Sequence, residues 1–301
     1  MTVAEAKRIR DEIIDKENVD EDDFFMFTEA MDFLINELHD PDDMLWLGGW
    51  YYERKDFKLA RKYYEMAAEY KMDDDAAARA NLCLGYIFYY GRTGEPDYEK
   101  AFFHYKKAAD AGSIVGAYKL ADMYKNGYYV EKNYDMYVSI IEPLWPKVMH
   151  LTYVFDPFPE IATRLAGIRA KQGRTTEAVS LYEDAKRFLS DRLHCQNGHG
   201  FFGDYTIMKF LIWNLYELKS VDYDNLEFWD LYEVLKKPCT VTFKYRRKPH
   251  TLVCENDSEG LMYELDGKCF RTLDDFMMKG SVSGDGFNIA APGIYQIEVE
   301  I

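Results

Sequence analysis

The sequence predicts a mostly α fold, an α–α superhelical solenoid followed by a small α+β module, and three observations predict it. A leucine followed by a small residue recurs at Leu47-Gly48, Leu84-Gly85, Leu120-Ala121 and Leu165-Ala166, at intervals of 37, 36 and 45 residues. Periods of this size mark supersecondary units that bury little alone and share a core with their neighbours. A small-aromatic-small pattern follows three of the four anchors, as Ala60, Tyr64 and Ala67, as Ala101, Tyr105 and Ala108, and as Ala178, Tyr182 and Ala185. Its i, i+4, i+7 spacing puts the three residues on one helical face, where they can meet the small residue of the preceding helix. Finally, the apolar period changes at Pro238 from helical to alternating, the mark of strands.

In chain order, Val3 to Lys16 and Asp22 to Leu38 carry apolar residues at helical spacing and are expected to cap the array as helices within residues 3–38. Asp20, Glu21 and Asp22 suit the positive end of the second helix dipole, and His39-Asp40-Pro41 ends that helix. Four helical pairs are expected over about residues 42–190. Glycines close first helices at Gly91, Gly127 and Gly173, and Asp56, Asp97 or Thr175 opens second ones. The third pair departs from the pattern with Tyr137, Ile141 and Leu144, and Pro143, Pro146, Pro157 and Pro159 predict a bend or lengthened loop after it. Tyr205 to Leu218 and Asn225 to Leu235, with Asp224 as cap, predict a terminal helical pair within 204–237, so that residues 1–238 form the helical repeat domain.

Residues 239–301 are expected to form the α+β module. Val241, Phe243 and Tyr245 alternate, Leu252 to Cys254 and Leu261 to Leu265 continue as strands, and Asp266-Gly267 is a tight-hairpin signal. Thr272 with Asp275 three residues on opens a short helix with Phe276 and Met277 on its apolar face, and Ile294 to Ile301 alternates as a last strand.

The middle pairs carry a fuller signature: Leu84-Gly85, Tyr90-Gly91, Asp97-Tyr98-Glu99-Lys100-Ala101 and Tyr105-Lys106-Lys107-Ala108-Ala109 before Ala111-Gly112. These stretches closely resemble Sel1-like repeats, the bacterial cousins of tetratricopeptide repeats, and the resemblance covers roughly residues 42–190. From anchor to the first small residue of the second helix is 13 positions in the first and fourth pairs and 17 in the second, so the outer pairs are similar to the plain tetratricopeptide spacing. The resemblance implies a right-handed solenoid used as an adaptor for protein binding, with no catalytic residues to carry over.

Composition narrows the function. With 53 acidic and 37 basic residues the formal charge is −16, which opposes binding to phosphate backbones and anionic lipid. No nucleic acid or membrane partner is expected. No apolar run approaches the roughly 20 residues of a membrane span, and Met1 to Lys16 alternates charges where a signal peptide needs an apolar block, which predicts a cytoplasmic protein. The five cysteines, Cys83, Cys195, Cys239, Cys254 and Cys269, are odd in number and scattered, unlike a secreted disulfide framework. His194, Cys195 and His199 put three possible metal ligands within six residues, but no second cluster completes a zinc-like site. No phosphate-cradling loop or nucleophile elbow is present, so neither cofactor, metal nor catalytic residue is expected. The basic run Lys244 to Lys248 is read as a solvated hairpin end, with contact to an acidic partner as the alternative.

What remains is an excess of aromatics, 25 tyrosines among them. Tyr51, Phe88 and Tyr124, four residues after their anchors, are expected in the core. In a helical-pair solenoid the first helices line the concave face, and positions two before, two after and five after each anchor look outward there. These are Leu45, Gly49 and Tyr52, then Leu82, Tyr86 and Tyr89, then Tyr118, Asp122 and Lys125, a candidate protein or peptide groove that competes with plain packing between repeats. The expected function is a noncatalytic scaffold or adaptor; the alternative is a ligand-binding or catalytic C-terminal module that the repeats merely position.

Overall fold

A computed structural model describes residues 1–16, 19–70, 74–195 and 202–301. The chain divides into two compact units, Met1–Ile141 and Glu142–Ile301. The first is all helical: α1 (Val3–Ile14), α2 (Glu21–Leu38), α3 (Pro41–Glu53), α4 (Phe57–Ala68), α5 (Asp74–Tyr89), α6 (Tyr98–Asp110), α7 (Ile114–Asn126) and α8 (Tyr134–Ile141). Polar caps start these helices where the sequence places them. The side chains of Asp56, Asp97 and Ser113 accept from the amides of Leu59, Lys100 and Gly116, which satisfies donors that a first turn leaves open. Gly127 ends α7 in the left-handed region at φ 77°, where a side chain would be strained.

Each of the first two repeat pairs is closed by the same contact. A Cβ added at Gly48 would lie 2.6 Å from Cε1 of Tyr64, and one at Gly85 would lie 2.4 Å from Cδ1 of Tyr105. The tyrosine ring of the second helix thus rests on bare backbone of the first, with Ala60 and Ala67, or Ala101 and Ala108, wholly buried on either side. Anchors Leu47 and Leu84 are likewise fully buried, and Tyr51 and Phe88 join them in the core, whereas Tyr124 is half-buried. Ahead of the first pair, Phe27 of α2 packs 4.9 Å from Trp46 and 4.8 Å from Trp50, and Arg54 lies 3.5 Å over the Trp50 ring. The third pair keeps Tyr137 and Ile141 buried.

In the second unit, a 3-10 turn at Glu142–Leu144 leads into α9 (Trp145–Val148), and an irregular stretch over 149–157, the expected lengthened loop, precedes α10 (Phe158–Lys171) and α11 (Thr175–Cys195). Arg192 of α11 ties that loop down. It donates to the carbonyls of Val154 (2.7 Å) and Asp156 (2.6 Å) and to the carboxylates of Glu160 (2.8 Å) and Asp204 (3.1 Å). Guanidinium has five donors in a fixed fork, which lets one buried cation serve four acceptors.

Helix α12 (Phe202–Leu218) forms as expected, but the helix expected over Asn225 to Leu235 is reduced to a 3-10 turn at Phe228–Asp230 and the single turn α13 (Leu231–Val234). Local side chains account for this. Asp222 accepts from the Asp224 amide (3.2 Å) and the Asn225 side chain (2.9 Å), which closes a turn where Asp224 was expected to cap. Buried Asp230 is then held by Lys186 of α11 at 2.9 Å, with Glu227 on the same ammonium at 2.8 Å.

The alternating pattern starts β1 (Cys239–Tyr245), followed by β2 (Lys248–Asp257), β3 (Gly260–Leu265), β4 (Lys268–Phe270), α14 (Leu273–Lys279), β5 (Ser281–Val282), β6 (Asp285–Gly286), α15 (Phe287–Ala290) and β7 (Ile294–Glu300). Five strands form one antiparallel sheet in the order β4-β3-β2-β1-β7. Its buried face carries Val241, Phe243, Leu252, Tyr263 and Leu265, against which Phe276 of α14 and Phe287 of α15 pack 5.0 Å apart. Asp266 and Gly267 make the expected turn at φ 51° and 84°, and the turn between β1 and β2 holds Arg246 and Arg247 at φ 49° and 65°.

Two outcomes test this packing. Gly85→Ala forces the Tyr105 ring off its seat and should cost about 1–3 kcal/mol, whereas Gly49→Ala, whose Cβ would meet only the Tyr64 hydroxyl at 3.8 Å, should gain about 0.5–1 kcal/mol from better helix propensity. Thermal melts of the two variants should move in opposite directions; a shared direction contradicts the contact. The second concerns His104, whose Nδ1 lies 2.9 Å from Asn81 Oδ1 and whose ring stacks on Phe88. Burial, then Lys107, Arg61 and Lys100, push its pKa from 6.5 down to about 4. The unfolded chain therefore takes up the proton first, and this residue's share of stability is full above pH 6.5 and lost as pH falls toward 4. An NMR titration should find the imidazole neutral at pH 5, and His104→Gln should flatten the pH dependence of the melt in that window.

Candidate functional site

The first helices α3, α5 and α7 carry the nine residues expected to face outward, and the structure sorts them. Leu45 and Tyr118 are only 7% and 6% exposed; they are packing residues and leave the candidate surface, because the turn of each helix brings these positions under its neighbour. Gly49, Tyr52, Leu82, Tyr86, Tyr89, Asp122 and Lys125 are half-buried. Tyr52 sits edge-on to Phe57 at 5.1 Å, in the first pair. Tyr86 and Tyr89 stand together in the second, with Tyr105 beneath them at 5.9 and 6.2 Å.

Around that pair the structure assembles a larger aromatic surface than the anchor positions predict. Tyr90 stacks on Tyr86 at 6.3 Å and meets Tyr89 edge-on at 5.0 Å, while Tyr98 and Tyr128 stack at 4.7 Å and both pack on Tyr89. Tyr90 is 49% exposed. Tyr98 opens α6 and Tyr128 follows the left-handed cap Gly127, so these rings come from turns that a helical register does not index. The adjacent pairs Tyr89-Tyr90 and Tyr128-Tyr129 are the sequence signal that points to them.

Charges frame the rings. Lys119 lies 5.1 Å over Tyr86 and 5.4 Å over Tyr118, and Lys125 lies 5.2 Å over Tyr137, contacts that suit the negative face of an aromatic ring. Asp122 adds its negative field to Tyr89, whose hydroxyl is pushed up chiefly by burial. Tyr105, wholly buried with a hydroxyl that has no hydrogen-bond partner, is pushed up by burial as well. Both hydroxyls therefore stay protonated near neutral pH. Between the first and second pairs, Arg79 of α5 reaches Asp42 of α3 at 2.9 Å. The arrangement offers rigid rings and a few polar tips.

Other candidates carry less. His199 lies outside the described residues, and among the described residues no group of three His, Cys, Asp or Glu side chains is placed to hold a metal. No helix among them is long and apolar enough to cross a membrane. In the second unit a pocket of about 320 Å³ is walled by Tyr205, Phe210, Trp213, Tyr232 and Met278. Its charged groups, Lys209 and Asp274, are bonded to each other at 2.8 Å.

The family model for the Sel1 repeat matches residues 43–69, 76–113 and 114–136. These blocks fall on α3 with α4, on α5 with α6, and on α7 with the start of α8; the fourth pair, α10 with α11, lies beyond them. Solved structures similar to the chain include two. One is a Sel1 repeat protein from Oxalobacter formigenes, 21% identical over 70% of this chain and 77% of the other, with a TM-score of 0.48. The second is a protective antigen of uropathogenic Escherichia coli strains that displays an SLR fold, 19% identical over 70% of this chain and 48% of the other, with a TM-score of 0.44. No curated protein matches the sequence. Repeats of this type generally mediate protein–protein contact on a scaffold that is typically noncatalytic. With the matched blocks falling on three successive helical pairs, two of them closed by a tyrosine on a glycine, this chain carries Sel1 repeats.

Proposed function

We propose that the protein is a noncatalytic interaction scaffold that holds a protein or peptide along the first-helix face of its repeats. The observation that carries this reading is the surface of Tyr86, Tyr89, Tyr90, Tyr98 and Tyr128, five rings in mutual contact with Tyr90 half open to solvent. Rigid aromatics give up little conformational entropy on binding and are enriched among residues that dominate interface energy. Lys119 over Tyr86 and Asp122 beside Tyr89 supply charges of both signs, Leu82 lies one turn before Tyr86 on α5, and in this reading Lys125 and Tyr52 extend the face to the third and first pairs. The net charge of −16 disfavours nucleic acid as the occupant. Residues 239–301 serve as a structural module that packs through α14 and α15 on α12 and α11. The competing reading, a catalytic or ligand-binding module there, has less support, since the Lys209–Asp274 pair at its pocket is self-satisfied.

A comparison of Tyr86→Ala/Tyr90→Ala with Phe103→Ala tests this. Phe103 lies on α6 and is 52% exposed, away from the first-helix positions. A partner retained by the parent chain should bind the double tyrosine variant at least tenfold more weakly, a loss of about 1.4 kcal/mol or more, with the melting temperature within a few degrees of the parent. Phe103→Ala should bind like the parent. Full affinity in a folded double variant would remove the tyrosine face as the site.

A further inference from the structure

Two cysteines of the second unit face each other across the sheet. Cys239, the first residue of β1, is paired in register with Cys254 of β2, and both are buried, at 7% and 2% exposure. The two-residue turn at Arg246-Arg247 closes this hairpin on Tyr245 and Lys248, and counting back from it places the cysteines in a narrow, hydrogen-bonded pair. Such a pair holds its Cα atoms about 5.5 Å apart, inside the roughly 4.4–6.8 Å that a disulfide spans. The other cysteines lack this arrangement: Cys269 is exposed and lies opposite Glu264, Cys195 is exposed at the end of α11, and Cys83 sits in the other unit.

We propose that Cys239 and Cys254 are a redox-active pair that closes into a cross-strand disulfide when a hydroperoxide reaches it. Cys239 is the attacking sulfur. It is the less buried of the two residues, at 7% exposure against 2%, and it follows the exposed residues Lys236, Lys237 and Pro238. The Cys239 sulfur attacks one peroxide oxygen as its thiol gives up its proton, the O–O bond breaks, and the departing hydroxide takes that proton and leaves as water. The resulting sulfenic acid is attacked by the Cys254 sulfur. The S–S bond forms, the S–O bond breaks, and a second water leaves with the Cys254 proton. Overall, two thiols and one hydroperoxide give one disulfide and two waters, or water and an alcohol from an organic peroxide.

Closure acts beyond the two strands. The thiols of Cys239 and Cys254 point at the carbonyls of Val234 (4.0 Å) and Leu235 (3.8 Å) at the end of α13, where the Tyr263 hydroxyl also bonds Leu235 at 3.4 Å. A disulfide has no S–H to donate, so oxidation strips both carbonyls of their sulfur contacts and loosens the link from α13 into β1.

The test uses the full chain and hydrogen peroxide, followed by alkylation of the remaining thiols, digestion and mass mapping. A peptide joining Cys239 to Cys254, lighter by two hydrogen atoms than its separate halves and split again by dithiothreitol, is the expected result. Faster amide exchange over residues 235–239 should accompany it. In Cys254→Ser, Cys239 should stop at the sulfenic acid and be trapped by dimedone. Recovery of Cys239 and Cys254 as two separately alkylated thiols, or as unlinked sulfinic acids, under conditions that oxidise Cys269 overturns the proposal. The mapping of the parent chain decides this even if the serine variant fails to fold.

Discussion

The seat of a tyrosine ring on a glycine is the contact on which the repeat architecture depends. Neither Gly48 nor Gly85 has room for a single carbon beyond its backbone, because Tyr64 and Tyr105 already occupy that space. The closeness of the two helices in a pair therefore follows from an absent side chain on one and a flat, rigid one on the other. Alanines above and below each ring let the second helix lie down along its length. The next pair is joined by a related device: a Cβ on Gly116 of α7 would fall 2.7 Å from that of Ala108 on α6. Small residues thus set the spacing within and between pairs, and large aromatics fill what lies between, which is how closely packed interiors avoid voids.

This constraint is also what made the array legible. Leucine-small anchors and small-aromatic-small faces are short, strongly patterned and repeated, and the residues they index occupy the core. The surface was harder. A register counted from one helix placed Leu45 and Tyr118 outward, but their exposure is decided by the adjacent helix, which the count does not include. Tyr98 and Tyr128 join the aromatic face from turn positions, where no periodicity operates. In the second unit the helix expected after Asp224 gave way to competition from Asp222, whose side chain satisfies the backbone locally, a known reason that such residues favour turns over helix interiors. The β1–β2 hairpin end was legible from its solvated basic run and not from turn chemistry, since its turn uses two arginines where Asn-Gly or Asp-Gly would announce it.

The two units are held together internally by different means. The first rests on apolar seams and ring contacts, whereas the second buries two cations, Lys186 and Arg192, each surrounded by acceptors. Burying a cation is costly unless every donor is used, and here the donors collect elements that have little helical packing of their own. Arg192 gathers the loop over 149–157, and Lys186 gathers the 3-10 turn at Asp230. Irregular backbone is thereby fixed by charge where the repeats need only shape.

The placement of the tryptophans decides what light emission from this protein reports. Trp46 and Trp50 stack at 5.1 Å beside Phe27, and Trp145, Trp213 and Trp229 all belong to the second unit. Between residues 51 and 144 there is none. Fluorescence excited at the red edge of absorption therefore follows the opening of the N-terminal helices and of the second unit, and is blind to α5, α6 and α7. In a stack where each pair is stabilised mainly by its neighbours, the middle can melt on its own schedule. The tyrosine surface lies in that optically silent middle, so its unfolding must be read from the tyrosines themselves.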